Sequence, residues 1–238
     1  MNQAIYLAAL LPALIFAIVF HEVAHGLMAR ALGDRTAEEM NRLSLNPLRH
    51  VDLIGTIVLP GFLALIGAPV LGWAKPVPIN GRRLRNPRRD MMLVAAAGPG
   101  MNLVMAALAA VGLGLLIRGL PVASSFNEVP EMLGSLGLGP AFVGLVLLLF
   151  ISLNVFLALF NLLPIPPLDG SHIVEGLLPD GLRQGYARLR DMGMMLPILL
   201  LVVLPSLIPG LSLTKYLFGP VDWALDKYLS LANLFAGG

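Results

Sequence analysis

Long apolar stretches, separated by shorter polar and charged ones, set the pattern of this chain. A stretch of about 20 predominantly apolar residues is long enough to cross a bilayer as a helix. Four stretches approach or exceed this length, at about 4–30, 92–117, 141–163 and 193–210. Prolines and glycines interrupt a fifth apolar stretch, at 53–72. The pattern therefore predicts an all-α polytopic membrane protein with about four to six transmembrane helices.

The C-terminal stretch has a different pattern. Residues 213–236 combine Trp223 and Tyr228 with several charged side chains. The charged residues are Lys215, Asp222, Asp226 and Lys227. This mixture is typical of a helix that lies in the membrane interface. We therefore predict an interfacial helix here, and we interpret residues 1–238 as a single intramembrane domain.

The composition agrees with a location in lipid. Of the 238 residues, 57% are hydrophobic and 13% are charged, and the mean hydropathy is +0.83. A soluble domain has about 25% charged residues, so this chain has too few charges to cover a water-facing surface. The sequence contains no cysteine, which excludes disulfides and thiolate metal sites.

The distribution of Lys and Arg predicts the orientation. Segment 30–52 contains four of them and segment 72–90 contains six, whereas 118–140 contains one. If 53–72 crossed the membrane, one of the two most basic segments would lie outside, against the positive-inside rule. We therefore predict a re-entrant, partly extended segment on the cytoplasmic side over about 53–80. The N-terminus then faces outward.

Three ionisable residues lie close together in the first apolar stretch. The run from His21 through Glu22 to His25 is an HExxH motif. On a helix, residues i and i+4 share a face, so both imidazoles can bind one zinc ion, with Glu22 beside it as a proton acceptor. Buried, hydrogen-bonded histidines are the structural alternative, but they do not explain a third ionisable group in the same turn. Such groups are costly in a membrane and usually functional.

A catalytic zinc ion takes three protein ligands and a water molecule, so two histidines leave it one ligand short. Asp169 is a candidate, because it follows the apolar 141–163 stretch in the proline-rich run LLPIPPLDG. A simple turn at Asp169 and Gly170 explains this run equally well. His50 and His172 are the remaining histidines, and we interpret both as capping or supporting residues rather than ligands.

Two motifs in this order resemble the site-2 protease family of intramembrane zinc metalloproteases, peptidase family M50. They are FHEVAHG in an early membrane helix and NLLPIPPLDG far downstream. The runs AAAGPGMN at 95–102 and GWAKPVPIN at 72–80 look like the compact prokaryotic branch of that family. The resemblance covers about residues 15–175. We therefore expect the compact type, without PDZ or CBS domains.

The resemblance implies a role for each matched residue. His21, His25 and Asp169 match the zinc ligands of the family, with one Zn²⁺ per chain, and Glu22 matches its catalytic glutamate. Asn161 matches an asparagine that contacts the substrate or the developing oxyanion. A polar helix-packing role explains Asn161 equally well.

The run WAKPVPIN is a candidate for substrate binding. Its prolines fall on one side of an extended segment, so its other edge is free to add an extended substrate strand. A basic loop that fixes orientation is an equal alternative. The candidate substrate-binding residues are Lys75, Pro76, Val77, Pro78 and Asn161.

The expected function is zinc-dependent hydrolysis of peptide bonds within or near transmembrane segments. The metal site lies roughly 14 Å from Arg30 along the helix, which predicts a site inside the bilayer nearer the cytoplasmic face of the cell membrane. The expected partners are a transmembrane protein substrate and the lipid bilayer. The oligomeric state is open, since small-residue patches could pack helices within one chain or between two copies. Nucleic acid is not expected, because the basic run NGRRLRNPRRD at 80–90 has no interleaved aromatic residues.

Two other functions fit parts of the pattern. A membrane zinc transporter would need more polar residues along several spans, and 141–163 has only Ser152, Asn154 and Asn161. A catalytically silent scaffold that binds membrane helices would not need an intact HExxH motif. Both alternatives are therefore weaker than the protease.

Overall fold

A computed structural model describes residues 3–52, 58, 75–120, 123–200, 204 and 213–237. The regular structure of these residues is helical, which confirms the predicted all-α class. The α-helices are α1 (Gln3–Ala31), α2 (Thr36–Glu39), α3 (Pro87–Leu116), α4 (Val129–Leu133), α5 (Leu138–Asn161), α6 (Asp169–Leu177), α7 (Asp180–Arg188), α8 (Met195–Ile198) and α9 (Leu213–Ala236). Short 3₁₀ turns include Gly81–Arg83 and Leu189–Met192.

Three of the described helices, α1, α3 and α5, are long and apolar enough to cross a membrane. They correspond to the predicted spans at 4–30, 92–117 and 141–163. Helix α3 begins earlier than predicted, at Pro87, because proline fits the first position of a helix, where its missing N–H leaves no hydrogen bond unmade. Parts of two other predicted segments lie outside the described residues: 201–203 and 205–210 of the fourth span, and 53–57 and 59–74 of the re-entrant segment.

Helices α1, α3 and α5 pack on one another through small side chains. Ala17 of α1, Ala106 and Ala110 of α3, and Ala158 of α5 are fully buried. Without a hydrophobic driving force between helices in lipid, such small residues favour association by letting backbones approach closely. This packing brings the middle of α3 against the second half of α1, where the HExxH motif lies.

Helix α9 packs against α3 and α5. The Tyr228 hydroxyl donates a hydrogen bond to the Leu103 carbonyl at 2.9 Å. A Cβ at Gly114 of α3 would collide with the backbone of Ala232, so this glycine permits the close approach of the two helices. The interfacial position of α9 stays a prediction.

A short turn connects the end of α5 to the start of α6 and places Asp169 as the first residue of α6. Gly170 follows it and packs directly on the carbonyls of Leu162 and Leu163, where a Cβ would collide with backbone atoms. The glycine of the LDG run is therefore required by close packing, which fixes where Asp169 lies.

Candidate metal centre

His21, His25 and Asp169 converge at the contact between α1 and α6. The Asp169 Oδ2 atom lies 3.1 Å from His21 Nε2 and 3.3 Å from His25 Nε2. The two Nε2 atoms are 3.0 Å apart. Among the described residues, these three side chains are close enough together to hold a metal ion. Two residues of one helix and one from a distant segment therefore meet at a single point.

The other ring nitrogens fix the protonation of both histidines. His25 donates its Nδ1–H to the Val94 carbonyl at 2.7 Å. His21 Nδ1 lies 2.5 Å from Asn102 Oδ1. The Asn102 Nδ2 group donates to the Ala17 carbonyl at 3.2 Å, which can only accept, so Oδ1 is the atom that faces His21. Both rings therefore have a proton on Nδ1, and in its neutral form each ring directs the lone pair of Nε2 at Asp169.

This arrangement brings three atoms that can bind a metal ion within 3.3 Å of one another. Asp169 Oδ2 is buried, and the two Nε2 atoms are the polar groups beside it. A buried carboxylate needs a compensating positive charge, which a metal ion bound to all three atoms supplies. Tetrahedral zinc, with nitrogen and oxygen ligands at about 2.0–2.2 Å, separates its ligand atoms by about 3.3 Å. The separations of 3.0–3.3 Å therefore fit a small divalent cation.

Glu22 lies next to this group and on the side of residues 75–80. Its Oε2 atom accepts a hydrogen bond of 2.8 Å from the backbone N–H of Val77. Val77 itself is buried and packs against Gly26, where a Cβ would collide with its side chain. The segment 75–80 therefore lies across the HExxH helix, in direct contact with the carboxylate.

Three further contacts hold the segment 75–80 in place. Asn80 donates its N–H to Asp34 Oδ2 at 2.5 Å, and Lys75 donates its N–H to the His50 carbonyl at 2.8 Å. Arg42 donates to the Lys75 carbonyl at 2.9 Å and contacts the next carbonyl, of Pro76, at 3.3 Å. The segment is thus tied to the residues that follow α1 and has no regular secondary structure.

The other candidate residues are not part of the metal group. Asn161 donates from Nδ2 to the Leu157 carbonyl within α5 at 2.9 Å. His50 Nε2 bonds to the Ser44 carbonyl at 2.8 Å, as expected of a supporting residue.

His172 accepts a hydrogen bond at Nδ1 from Arg190, at 3.4 Å. Burial and the neighbouring Arg190 guanidinium hold the pKa of His172 below its ordinary value. The ring is therefore neutral at pH 7.

Asn102 is fully buried, and the sequence alone did not indicate a role for it. Besides facing His21, its amide donates to Asn154 Oδ1 at 2.7 Å, and Asn154 donates to the Phe150 carbonyl at 2.7 Å. The signal was present, because an amide in an apolar span is costly unless it is hydrogen-bonded. Asn102 links α1, α3 and α5 at the level of the metal group.

Gly98 is a second residue that the sequence did not single out. A Cβ at this position would collide with the imidazoles of both His21 and His25. Only a residue without a side chain lets α3 lie this close to the two rings. The signal was the glycine within AAAGPG, next to a proline that interrupts helical hydrogen bonding.

Comparisons with known proteins identify relatives of this chain. The model of the family described as Peptidase family M50 matches residues 9–204. The chain is 37% identical over 205 residues to "Putative zinc metalloprotease YwhC" of Bacillus subtilis, covering 83% of each chain. It is 28% identical to "Putative zinc metalloprotease Rip2" of Mycolicibacterium smegmatis, over 89% of this chain and 71% of the relative.

The protein of the same name from Mycobacterium tuberculosis is also 28% identical, over 88% of this chain and 70% of the relative. No solved structure shows a significant match to the chain. The family model spans most of the chain and includes the HExxH run and Asp169. The chain therefore belongs to peptidase family M50, the site-2 protease family that its motifs resemble.

Proposed function

We propose that this protein is an intramembrane zinc endopeptidase that hydrolyses peptide bonds within or near the transmembrane segments of other proteins. The observation that supports the proposal is the convergence of His21, His25 and Asp169 beside Glu22. Their donor atoms match the chemistry and spacing of zinc ligands. We assign one Zn²⁺ per chain to this group, in agreement with the names of the relatives.

The chemistry divides between the metal and the protein. When bound, zinc supplies a Lewis acid that activates water and polarises the scissile carbonyl. Glu22 accepts the proton of the attacking water and later delivers it to the leaving amine. Asn102 and the Val94 carbonyl keep the two imidazoles in the Nδ1–H form, so their Nε2 lone pairs stay directed at the metal.

The segment 75–80 supports a role in substrate binding. Pro76 and Pro78 have no N–H, so only the opposite edge of this segment can donate backbone hydrogen bonds. That edge includes the N–H of Val77, and it faces Glu22. An extended substrate that pairs with this edge would lie beside the proposed base. When such a substrate binds, the Glu22 carboxylate must give up its hydrogen bond from the Val77 N–H and accept one from the attacking water instead. We assign substrate contact to Lys75–Pro78 on this basis.

Asn161 lies at the end of α5, just before the turn that leads to Asp169. It is half-buried, and its Nδ2 group bonds only locally in the described structure, to the Leu157 carbonyl. We assign it to the substrate or the developing oxyanion, in agreement with the family motif.

The three apolar helices support a multi-pass membrane protein. The separation of His21 from Arg30, roughly 14 Å along α1, supports a site within the bilayer nearer the basic end of the helix. By the positive-inside rule this end is cytoplasmic. We therefore assign the chain to the cell membrane, with its site nearer the cytoplasmic face.

Metal removal tests this proposal. Purified protein in detergent should cleave single-span membrane peptides from a defined panel, and 1,10-phenanthroline should abolish cleavage. Dialysis followed by added zinc should restore it, because each ligand atom is poised for the ion without rearrangement. Fragments would be identified by mass spectrometry. Cleavage that continues in metal-free protein would contradict the proposal.

Asn102→Leu should weaken zinc binding by about 10–100-fold, because loss of an outer hydrogen-bond partner usually has that effect on a metal site. The measurement is competition for zinc with a chromogenic chelator. Ser152→Ala is the control, because its hydroxyl bonds only to the Leu148 carbonyl within α5, at 2.9 Å. Unchanged zinc affinity in Asn102→Leu would show that Asn102 only packs the helices.

A further inference from the structure

A basic cavity lies at the N-terminal end of α3, next to α6. Its volume is about 520 Å³. Four arginines line it, Arg82, Arg88, Arg183 and Arg190, together with the carboxylate of Glu175. Ligand pockets are typically about 300–1,000 Å³, so the cavity is large enough for a small molecule or a lipid headgroup.

Arg88 is fully engaged in the structure. Its guanidinium donates to the carbonyls of Gly176 and Leu178, at 2.8 and 2.5 Å, and pairs with Asp180 at 3.3 Å. These carbonyls belong to the C-terminal end of α6, where a cation is favoured. Arg88 therefore forms one wall of the cavity and fixes α6 against α3.

Arg190 is only partly engaged. It forms an ion pair with Glu175 and donates to His172 Nδ1 at 3.4 Å. Its Nε–H is buried and has no acceptor among the described residues. A buried donor without a partner is unfavourable. The cavity thus contains a guanidinium with unused hydrogen-bonding capacity.

Arg82 and Arg183 have no ion pair and no side-chain hydrogen bond with other described residues. The four arginines face two carboxylates, Glu175 and Asp180, which leaves two positive charges uncompensated. These arginines come from the turn at Gly81–Arg83, from α3, from α7 and from the turn after it. Orientation in a membrane requires positive charge but not its convergence on one cavity.

We propose that this cavity binds a phosphate group, either in the headgroup of an anionic phospholipid or in a free phosphorylated molecule. Guanidinium groups bind phosphate oxygens in pairs of parallel hydrogen bonds, which lysine does not provide. Basic pockets beside membrane helices are typical binding sites for lipid phosphates. A phosphate between Arg82, Arg183 and Arg190 compensates the two excess charges. The proposal is independent of peptide hydrolysis.

Binding to the full chain in an uncharged detergent tests the proposal. The probes are inorganic phosphate, short-chain phosphatidylglycerol and, as the zwitterionic comparison, short-chain phosphatidylcholine, each titrated by native mass spectrometry and thermal unfolding. The double variant Arg82→Gln/Arg183→Gln should bind at least tenfold more weakly to whichever of the two anionic probes binds the wild-type protein. The control Arg35→Gln/Arg188→Gln makes the same change in charge outside the cavity and should stay within twofold of wild type.

The outcomes separate the two sources of phosphate. Saturable binding of phosphatidylglycerol without inorganic phosphate identifies a lipid site. Binding of inorganic phosphate alone identifies a site for a free phosphorylated molecule, and binding of both identifies a general phosphate site. If the double variant does not fold, Arg183→Gln alone should still weaken binding severalfold. Absence of binding by both anionic probes, or equal loss in the variant and its control, would overturn the proposal.

Discussion

Glu22→Gln is expected to lower the rate of peptide hydrolysis by about 10²–10⁴-fold, the usual contribution of a general acid–base residue. Glutamine has the shape of glutamate and can still accept the Val77 N–H that bonds to Glu22 Oε2. It cannot accept a proton from water. Glu22 is not part of the group formed by His21, His25 and Asp169, so zinc should remain bound. The cleavage rate and the zinc content would be measured on the same sample.

Glu38→Gln is the matched control for this variant. Glu38 lies on α2 and forms an exposed ion pair with Arg30 at 3.2 Å. Exposed pairs of this kind contribute about 0–1 kcal/mol, so the control should cleave at the wild-type rate. Full turnover in Glu22→Gln would remove Glu22 as the base, whereas simultaneous loss of zinc would assign it a role in metal binding.

Gly98→Ala should remove both zinc and activity. A Cβ at Gly98 would overlap the imidazoles of His21 and His25, so either α3 must move away from α1 or both rings must turn. Either change separates atoms that lie 3.0–3.3 Å apart in the centre. Overpacking of this kind typically costs about 1–3 kcal/mol, which would lower the thermal midpoint as well.

Gly100→Ala makes the same chemical change two residues away on α3. A Cβ there has no neighbouring atom within 4 Å, and alanine is favoured over glycine in a helix by about 0.8–1.0 kcal/mol. This variant should keep its zinc and its activity. Normal zinc content in Gly98→Ala would show that α3 does not approach the two histidines as closely as the structure indicates.

The sequence predicted the three long helices well, because a membrane span needs about 20 apolar residues and that length is visible without knowledge of packing. It also predicted the shared face of His21 and His25, which follows from helical periodicity alone. The ends of the helices were less accurate. Pro87 extends α3 beyond the apolar stretch into charged residues, where hydropathy gives no signal.

The residues that complete the site were harder to predict from the sequence. Asp169 lies 144 positions after His25. Its local sequence fits a simple turn as well as a metal ligand, and only the resemblance to the family implies the ligand. Contact between Asp169 Oδ2 and His25 Nε2, at 3.3 Å, depends on how α6 and α1 both pack on α3. Hydropathy identifies helices but not the faces that meet, which is also why Gly98 and Asn102 were missed.

The contact between Glu22 and Val77 has the same origin. The HExxH motif and the run WAKPVPIN were each recognised as separate features, but nothing in their spacing shows that the backbone N–H of Val77 meets the Glu22 carboxylate. The hydrogen bond from Asn80 to Asp34 holds the two segments together. It joins two loops that are far apart in the chain.

The zinc content of detergent-purified protein tests the central claim most directly, because it requires no substrate. Wild-type protein should contain about one zinc ion per chain, and Asp169→Ala should lose most of it. Asp191→Ala, at an exposed position, should retain the full amount. Zinc unaffected by Asp169→Ala would contradict the claim that His21, His25 and Asp169 form one metal site.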